Sequence, residues 1–311
     1  MAEKMATREA YGKVLKELGP VMEDLVVMDA DLSGSTKSGE FAKVCPDRFF
    51  NMGIAEQDLY GAAAGLALSG KTVCASTFAM FATGRAYEII RNTIGYTGAN
   101  VKICATHAGI TVGEDGASHQ TFEDIALMRN IPGMLVVNPS DGVSAEILLK
   151  KVLEMKGPAY VRLGRASVPV TYSEDAELEI GKGNLVKNGS DITVIASGIM
   201  VNEAIMAADR LSEEGVDVRI IDMHTIKPID KDIIIKAAEE TGAIVTAEEH
   251  SVIGGLGSAV AEVVVKECPV KMAMVGQQDV YGESGKPEDL KQKYHMTADD
   301  IVSSVKTLLN K

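Results

Sequence analysis

The sequence predicts an α/β fold made of two doubly wound domains, each with a mainly parallel sheet, the second domain being the smaller. Apolar runs of strand length alternate with helix-like runs along nearly the whole chain. The strand-like runs, such as DLVVMDAD, are almost continuously apolar, which is typical of strands buried on both faces of a sheet. This pattern changes at about residues 164–190, where Gly-rich turns and an acidic patch suggest a domain boundary.

The first half of the chain alternates regularly between the two kinds of run. We predict strands at 24–31, 47–53, 71–77, 99–107 and 133–140, and helices at 55–69, 79–95, 121–130 and 141–155. The opening residues, MAEKMATREAYGKVLKEL, predict an amphipathic helix and not a signal peptide, because they contain no apolar central run.

The second half repeats the alternation. We predict strands at 191–198, 216–223, 243–249 and 270–276, and helices at 200–214, 230–240, 256–266 and from about 297. The segment GGLGSAVAE fits a dinucleotide-binding fingerprint poorly, and we interpret it as a Gly-rich helix start packed on a sheet. The predicted domains are therefore residues 1–170 and 191–311, joined at 171–190 by a linker with a small hairpin.

Composition and charge argue against several classes of protein. The 311 residues are 46% hydrophobic and 24% charged, which is enough for a substantial core. A net charge of −13 argues against a nucleic-acid or anionic-membrane partner, and no run approaches the ~20 apolar residues of a membrane span. The cysteines form neither a C-x-x-C pair nor a zinc pattern with histidine, so we expect a reduced, cytoplasmic compartment and no metal site on thiols.

The most informative stretch is the loop THAGITVGEDGASHQTFED at 106–124. It follows a buried strand, so it lies at the carboxyl edge of the predicted sheet, where open α/β sheets form their binding sites. A loop of this length inside a compact domain is usually functional. It contains His107, His119, Glu114 and Asp115, and imidazoles with a carboxylate can bind hydroxyl groups and move protons at neutral pH.

Glu56 and two aromatic residues have a structural as well as a functional explanation. In NMGIAEQ, Glu56 stands in the first turn of a predicted helix, where an acid complements the helix dipole. In STFAMF, Phe78 and Phe81 are three residues apart, which aligns them on one face of a predicted helix. That spacing by itself favours packing in the core.

Four further polar residues lie near the ends of predicted elements. Asp31 and Ser35 belong to a Gly-containing loop after a buried strand, which is either an ordinary turn or a ligand-binding loop. Arg8 and Arg165, each considered alone, suit surface salt bridges. Because the chain is strongly acidic overall, an anionic substrate would need a local basic cluster such as these residues could form.

The segments GIAEQ, STFAMF, THAGITVGEDGASHQ, NPSDG and LGRASVP, in this order, resemble the motifs of transketolases, which belong to the thiamine-diphosphate enzyme family. The resemblance covers nearly the whole chain, as a pyrimidine-binding domain followed by a transketolase C-terminal domain. It implies transfer of a two-carbon ketol unit from a ketose phosphate to an aldose phosphate, in the cytoplasm and in the pentose phosphate pathway.

The resemblance also implies contacts with the cofactor. A glutamate at the position of Glu56 hydrogen-bonds N1′ of the aminopyrimidine and favours the imino form, which takes the proton from C2 of the thiazolium; the cofactor then performs the chemistry. Phe78 and Phe81 match aromatic residues that pack on the pyrimidine ring. Asp31 and Leu32 match residues that touch the cofactor, and the leucine helps to hold its bent conformation.

The remaining matches concern the sugar substrate. His107 and His119 match histidines that face the hydroxyl groups of the donor sugar, and with Glu56 they form the implied catalytic set. Asp115 matches the acid that reads the C2 hydroxyl. The implied phosphate ligands are Arg8, Ser35 and Arg165, a set suited to phosphate because guanidinium groups bind it through paired hydrogen bonds.

The sequence departs from the transketolase pattern in two places. Gly84 stands where the family often has Tyr or Arg, although a one-residue shift would bring Arg85 or Tyr87 there. The G-D-G motif and later Asn pair, which bind diphosphate and metal in the family, are not found. The chain therefore resembles the C-terminal subunit of a split transketolase, with Mg²⁺ or Ca²⁺ held by an N-terminal partner subunit and none by this chain.

We also expect assembly into at least a homodimer, and into an α2β2 heterotetramer with the partner, with Glu56 near a subunit boundary. The predicted helix 55–69 presents a stripe of small residues that suits close contact with another helix: Gly61, Ala64, Gly65 and Leu68. The alternative is that this stripe packs inside the chain.

Three other functions fit parts of the pattern. 1-Deoxyxylulose-5-phosphate synthase shares the GxDGxxHQ-like part of the loop but usually lacks a histidine at the position of His107. The β subunits of 2-oxo-acid dehydrogenases have a similar length but lack the pattern of His107, Asp115 and His119. A non-catalytic interaction protein on the same fold is the alternative from another class, and the intact Glu56 and loop residues weigh against it.

Overall fold

The structure is a computed structural model, and it describes residues 4–310. The predicted N-terminal helix begins at Thr7 and ends at Leu18; its first three predicted residues, like Lys311, lie outside the described residues. In chain order the strands are β1 (Lys4–Met5), β2 (Leu25–Asp29), β3 (Phe49–Asn51), β4 (Thr72–Ser76), β5 (Val101–Ala105), β6 (Leu135–Val137), β7 (Ala159–Arg162), β8 (Val168–Pro169), β9 (Asn184–Lys187), β10 (Ile192–Ala196), β11 (Val218–Asp222), β12 (Thr225–Lys227), β13 (Ala243–Ser251) and β14 (Lys271–Gln277).

The helices lie between these strands. They are α1 (Thr7–Leu18), α2 (Ser33–Thr36), α3 (Gly39–Ala42), α4 (Glu56–Leu68), α5 (Tyr87–Ile89), α6 (Asp124–Arg129), α7 (Gly142–Glu154), α8 (Met200–Glu213), α9 (Lys231–Thr241), α10 (Leu256–Glu267), α11 (Pro287–Lys293) and α12 (Ala298–Leu309). Two segments, Phe81–Arg85 and Ile90–Gly95, are π-helical, and Pro46–Arg48 and Ile110–Asp115 are 3₁₀-helical. No described helix is both long enough and apolar enough to cross a membrane.

The larger sheet has seven strands in the order β12-β6-β7-β5-β4-β2-β3. All of its neighbouring pairs are parallel except the pair of β12 with β6. Strands β2, β4 and β5 are buried at every position, as their continuous apolar sequences predict. Their carboxyl ends share one edge of the sheet, and the loops that carry the candidate site residues start there.

The smaller sheet has five strands in the order β14-β13-β10-β11-β9. The first four are parallel, and β9 pairs antiparallel with β11 at the edge. The predicted α/β fold with two mainly parallel sheets is therefore confirmed.

Several local predictions are wrong. The segment 171–190 forms no hairpin, because its strand β9 joins the smaller sheet instead. Strand β7, which lies between β6 and β5 in the larger sheet, was not predicted. Strand β12, by which the second half of the chain extends the first sheet, was not predicted either. The helix predicted at 121–130 is shorter, since residues 121–123 still belong to the loop before α6.

The interpretation of GGLGSAVAE as a helix start is confirmed. Helix α10 begins at Leu256, and the carboxylate of Glu248 accepts hydrogen bonds from the backbone N–H groups of Leu256 and Gly257, at 2.6 and 2.8 Å. A Cβ atom on Gly257 would lie 2.8 Å from Oγ1 of Thr246, so glycine is needed for the close approach of helix and sheet. A carboxylate at this position favours a helix N-terminus and would repel a phosphate group.

Candidate active site

The candidate residues collect at the carboxyl edge of the larger sheet because five parallel strands end there. Asp31 and Leu32 follow β2, Glu56 follows β3, Phe78 follows β4, His107 follows β5 and Arg165 follows β7. Arg8 reaches the same edge from α1, where its Nη1 donates to the carbonyl oxygen of Ser35 at 2.8 Å. The strand ends of an open α/β sheet are its usual binding position.

Four rings form the centre of the site. Phe78 stacks on His107, with centroids 3.8 Å apart and an interplanar angle of 20°. Phe81 lies parallel to Phe78 at 6.0 Å, and His119 meets Phe81 edge-on at 5.2 Å. The two phenylalanines do not share an α-helical face, because Phe78 forms an isolated β-bridge with Thr106 and Phe81 opens a π-helical segment.

His107 is buried and has an uncommon backbone conformation, with φ at +57°. Its Nδ1 lies 2.8 Å from Oγ1 of Thr106, and its Nε2 lies 3.5 Å from Nη1 of Arg8. Burial, followed by the positive charges of Arg8 and Arg165, lowers the pKa of His107 to about 3. The imidazole is therefore neutral at physiological pH and can accept one hydrogen bond while donating another.

Two arginines make the site locally basic. Arg165 donates from Nη1 to Oε2 of Glu114 at 3.0 Å and also to the carbonyl oxygen of Val112. Burial, and to a smaller extent the positive charge of Arg165, lowers the pKa of Arg8. Nε of Arg8 is buried and has no hydrogen-bond partner among the described residues. An anion between these cations would reduce their mutual repulsion.

Glu56 is the first residue of α4 and is only 2% exposed. Nη1 of Arg85 lies 2.9 Å from Oε1 and 2.8 Å from Oε2 of this carboxylate. The Arg85 guanidinium carbon also lies 4.8 Å from the centroid of the Phe81 ring. Arg85, and not Tyr87, therefore occupies the place beyond the second aromatic ring, and the π-helical turn at Phe81–Arg85 supplies the one-residue shift.

The loop after β2 is held by Asp29, which sequence reasoning missed. Its Oδ1 accepts from the backbone N–H of Leu32 at 2.6 Å, and its Oδ2 accepts from the hydroxyl groups of Thr36 and Ser38, each at 2.7 Å. Asp31 is exposed, with φ at +64°. A fully buried aspartate at a strand end fixes such a loop through its hydrogen bonds.

The structure brings most of the predicted residues into mutual contact, but not all of them. Ser35 meets Arg8 through its carbonyl oxygen and not through its hydroxyl group. Asp31 accepts a hydrogen bond from Nδ2 of Asn51 at 2.9 Å. Asp115 is exposed at the end of the 3₁₀ segment, where its neighbour Glu114 is the acid that pairs with Arg165.

The residues present fit the aminopyrimidine half of thiamine diphosphate. Such a ring needs a carboxyl partner for a ring nitrogen and apolar faces around it, and Glu56, Phe78 and Phe81 are groups of these kinds. Oγ1 of Thr77, next to Phe78 in the chain, is buried and has no partner among the described residues. Within residues 4–310, no group of three or more His, Cys, Asp or Glu side chains is arranged to hold a metal ion.

Two mainly parallel sheets, with Glu56, stacked aromatic rings and two arginines at a strand-end edge, are the features of a protein of the transketolase class. The family model described as transketolase, pyrimidine binding domain matches residues 3–171, and that described as transketolase, C-terminal domain matches residues 181–301. The chain belongs to the transketolase family, which depends on thiamine diphosphate.

Relatives in three organisms agree with this membership. A Methanocaldococcus jannaschii protein named "Putative transketolase C-terminal section" is 51% identical over 301 residues, covering 96% of this chain and 94% of that protein. A 6-deoxy-6-sulfo-D-fructose transketolase subunit, SqwH, of Clostridium sp. (strain MSTE9) is 39% identical, covering 95% and 92%. The transketolase of Rattus norvegicus is 38% identical over the whole chain, which spans 50% of that enzyme.

Solved structures give the same result. A structure described as a split gene transketolase, inactive beta4 tetramer, is 52% identical, with a TM-score of 0.91 and 99% coverage of both chains. The transketolase of Leishmania mexicana is 24% identical, with a TM-score of 0.84, and shows a likeness of fold. The relatives that this chain matches along nearly their whole length include the putative transketolase C-terminal section and the chain of the split gene transketolase.

Proposed function

We propose that this chain is the C-terminal subunit of a two-chain transketolase that transfers a two-carbon ketol unit from a ketose phosphate to an aldose phosphate. The contact between Phe78 and His107, 3.8 Å between ring centroids, carries the proposal. On one side of this contact lie Glu56 and Phe81, which suit a pyrimidine. On the other side lie Arg8 and Arg165, which suit the phosphate group of a sugar. One bound cofactor and one donor would then meet at this contact.

The cofactor half of the site is assigned to four residues. Thiamine diphosphate supplies a nucleophilic carbon, C2, when it is bound. Glu56 holds a proton at a carboxyl oxygen and donates it in a hydrogen bond to N1′, while Phe78 and Phe81 enclose the ring. Leu32, half-buried on the loop fixed by Asp29, supports the bent shape.

The sugar half is assigned to the loop after β5 and to the two arginines. His107, neutral because of its lowered pKa, accepts a hydrogen bond from a hydroxyl group of the donor sugar and orients that group. His119 bonds a second hydroxyl, and Asp115 reads the one at C2. Arg8 and Arg165 bind the phosphate group, with Ser35 adding a further contact.

The diphosphate and its Mg²⁺ or Ca²⁺ are assigned to an N-terminal partner subunit, in an α2β2 enzyme of the cytoplasm and of the pentose phosphate pathway. The surface of α4 supports this assembly. Ile54, before α4, is 78% exposed and Leu68, at its end, is 62% exposed. A Cβ atom on Gly61 or Gly65 would meet nothing within 4 Å, so another backbone can approach closely. Ala64 is fully buried within the chain, so this part of the predicted stripe was wrong.

Reconstitution with a candidate N-terminal subunit tests the proposed function. The mixture, with thiamine diphosphate and Mg²⁺, should transfer a ketol unit from a ketose phosphate or hydroxypyruvate to an aldose phosphate. Each chain alone should be inactive, and the lone C-terminal chain should not bind the cofactor tightly. Activity with pyruvate in place of these donors would instead support a function like that of 1-deoxyxylulose-5-phosphate synthase or a 2-oxo-acid dehydrogenase. No turnover with any donor would favour a non-catalytic protein.

A further inference from the structure

The loop that carries His107, Asp115 and His119 is held at its start by the smaller domain. Oε1 of Glu249, on β13, accepts a hydrogen bond from the backbone N–H of Thr111 at 2.7 Å, and this carboxylate is 3% exposed. A Cβ atom on Gly109 would lie 2.3 to 2.6 Å from the Glu249 carboxyl atoms, so glycine makes room for the contact. The contact between Glu249 and the loop therefore depends on glycine at position 109.

A cluster of three buried charged residues, Glu249, Arg162 and Asp124, also holds the end of the loop. Asp124, at the start of α6, accepts from Nε of Arg162 at 2.7 Å and from the hydroxyl group of Tyr160 at 2.6 Å. Nη2 of Arg162 donates to the carbonyl oxygen of Glu249 at 2.8 Å. Arg162 thus connects the two ends of the loop. It is the last residue of β7, three residues before Arg165.

Stability alone does not account for this cluster. Asp124 is fully buried, and Arg162 and Glu249 are each 3% exposed, so the charges are withdrawn from water. Burial raises the pKa of Glu249, although the charge of Arg162 opposes this. Replacing such buried ion clusters by apolar side chains is often neutral or stabilising. An apolar side chain, however, could not accept the Thr111 N–H bond that directs the loop.

We propose that Glu249 is a positioning residue, through which the smaller domain fixes the loop of His107, Asp115 and His119 for the donor sugar. Arg162 orients Glu249 and ties it to the far end of the loop. The inference rests on the proposed function, because the loop is assigned to the sugar. It gives the smaller domain a role in donor alignment, although no residue of that domain belongs to the proposed substrate contacts.

The test compares Glu249→Ala with two matched variants of the full chain. Glu249→Gln keeps a carbonyl oxygen for the Thr111 N–H. Glu262→Ala removes the exposed ion pair with Arg129, at 2.9 Å, which also links the two domains but does not touch the loop. Hydrogen exchange is measured for the amides of residues 108–121, first on the chain itself and then on the reconstituted complex.

In Glu249→Ala we expect the exchange rate of the Thr111 amide and its neighbours to rise by about tenfold or more. The reason is that the hydrogen bond from the Thr111 N–H to Glu249 is lost. In the complex, kcat/KM for the ketose phosphate should fall by roughly 10- to 100-fold through misalignment, with the cofactor Kd unchanged. Glu249→Gln should restore both values to within about threefold of the wild type, because an amide oxygen also accepts this bond. Glu262→Ala should change neither.

Three outcomes would overturn the inference: unchanged exchange in Glu249→Ala, losses in Glu249→Gln as large as in Glu249→Ala, or equal losses in Glu262→Ala. The exchange measurement needs no turnover. A wild-type complex that transfers no ketol unit would therefore refute the proposed function, while exchange would still decide whether Glu249 fixes the loop.

Discussion

A single nitrogen of Arg85 bonds both oxygens of the Glu56 carboxylate, at 2.9 and 2.8 Å. A guanidinium group at this distance favours the charged form of a carboxyl group, which only accepts hydrogen bonds. The proposed contact with N1′ of the cofactor needs an oxygen of Glu56 that donates one. The proposed contact therefore requires Glu56 to take up a proton when the cofactor binds.

Proton uptake is the first prediction. Cofactor binding to the reconstituted complex should take up more protons in the wild type than in Glu56→Gln, by a difference of about one proton near neutral pH, because the amide has no carboxylate to protonate. Calorimetry in two buffers of different ionisation enthalpy measures this number. Equal uptake in both proteins would show that Glu56 gains no proton when the cofactor binds.

Turnover is the second prediction. Glu56→Gln and Glu56→Ala should each lower kcat by at least the ~10²-fold typical of a lost acid–base contact. Folding should be nearly intact, since an acid near a helix N-terminus contributes only about 0.3–1 kcal/mol. Thermal unfolding serves as the control for folding. Near-normal kcat in Glu56→Ala would show that Glu56 only complements the dipole of α4 and has no role in catalysis.

The third prediction concerns phosphate recognition. Arg8→Ala and Arg165→Ala should mainly raise KM for phosphorylated sugars, by roughly 10- to 150-fold, since a hydrogen bond to a charged group is worth about 1.5–3 kcal/mol. Hydroxypyruvate, which has no phosphate group, is the control donor. Losses of the same size with hydroxypyruvate would show that the arginines hold the loop and do not bind phosphate. Glu114→Gln, which frees Arg165 from its 3.0 Å ion pair, should not raise KM.

The fourth prediction follows from the lowered pKa of His107, about 3, against an ordinary value near 6.5. The folded protein prefers the neutral ring, so this contribution to stability is complete above pH 6.5 and is lost as the pH falls toward 3. When the pH is lowered from 7 to 5, the free energy of unfolding should fall in both proteins. The fall should be smaller in His107→Asn than in the wild type, by about 1–2 kcal/mol. Asparagine is the substitution of choice because it tolerates the positive φ of this position.

Urea unfolding at the two pH values measures this difference. The comparison between variants cancels the other buried groups that titrate, such as His250, whose pKa burial lowers to about 4. The same loss in both proteins would mean that the His107 ring is charged in the folded state at pH 5.

The sequence predicted strands β2, β4 and β5 well because their apolar runs are continuous and both faces are buried. Strand β12 was missed because three residues are too few to show an alternation of apolar and polar side chains. Its pairing also depends on β6, in the other half of the chain. Arg85 was placed only as one of two candidates, since a π-helical turn shifts every later side chain by one position. Asp29, Arg162 and Glu249 were missed because only the tertiary structure shows which charged residues are buried.

The last prediction concerns assembly across α4. Leu68 is exposed at the end of this helix, and Gly65, one turn earlier, leaves space for a neighbouring backbone. Leu68→Asp should therefore weaken self-association by at least tenfold, because it places a charge where an apolar contact is proposed. Val21→Asp, at a position 71% exposed after α1, is the matched control and should leave association unchanged. Light scattering over a concentration series gives the oligomeric state. A wild-type chain that stays monomeric at micromolar concentration, with or without the partner subunit, would contradict the proposed assembly. Equal weakening of self-association by both variants would show that the interface does not lie on α4.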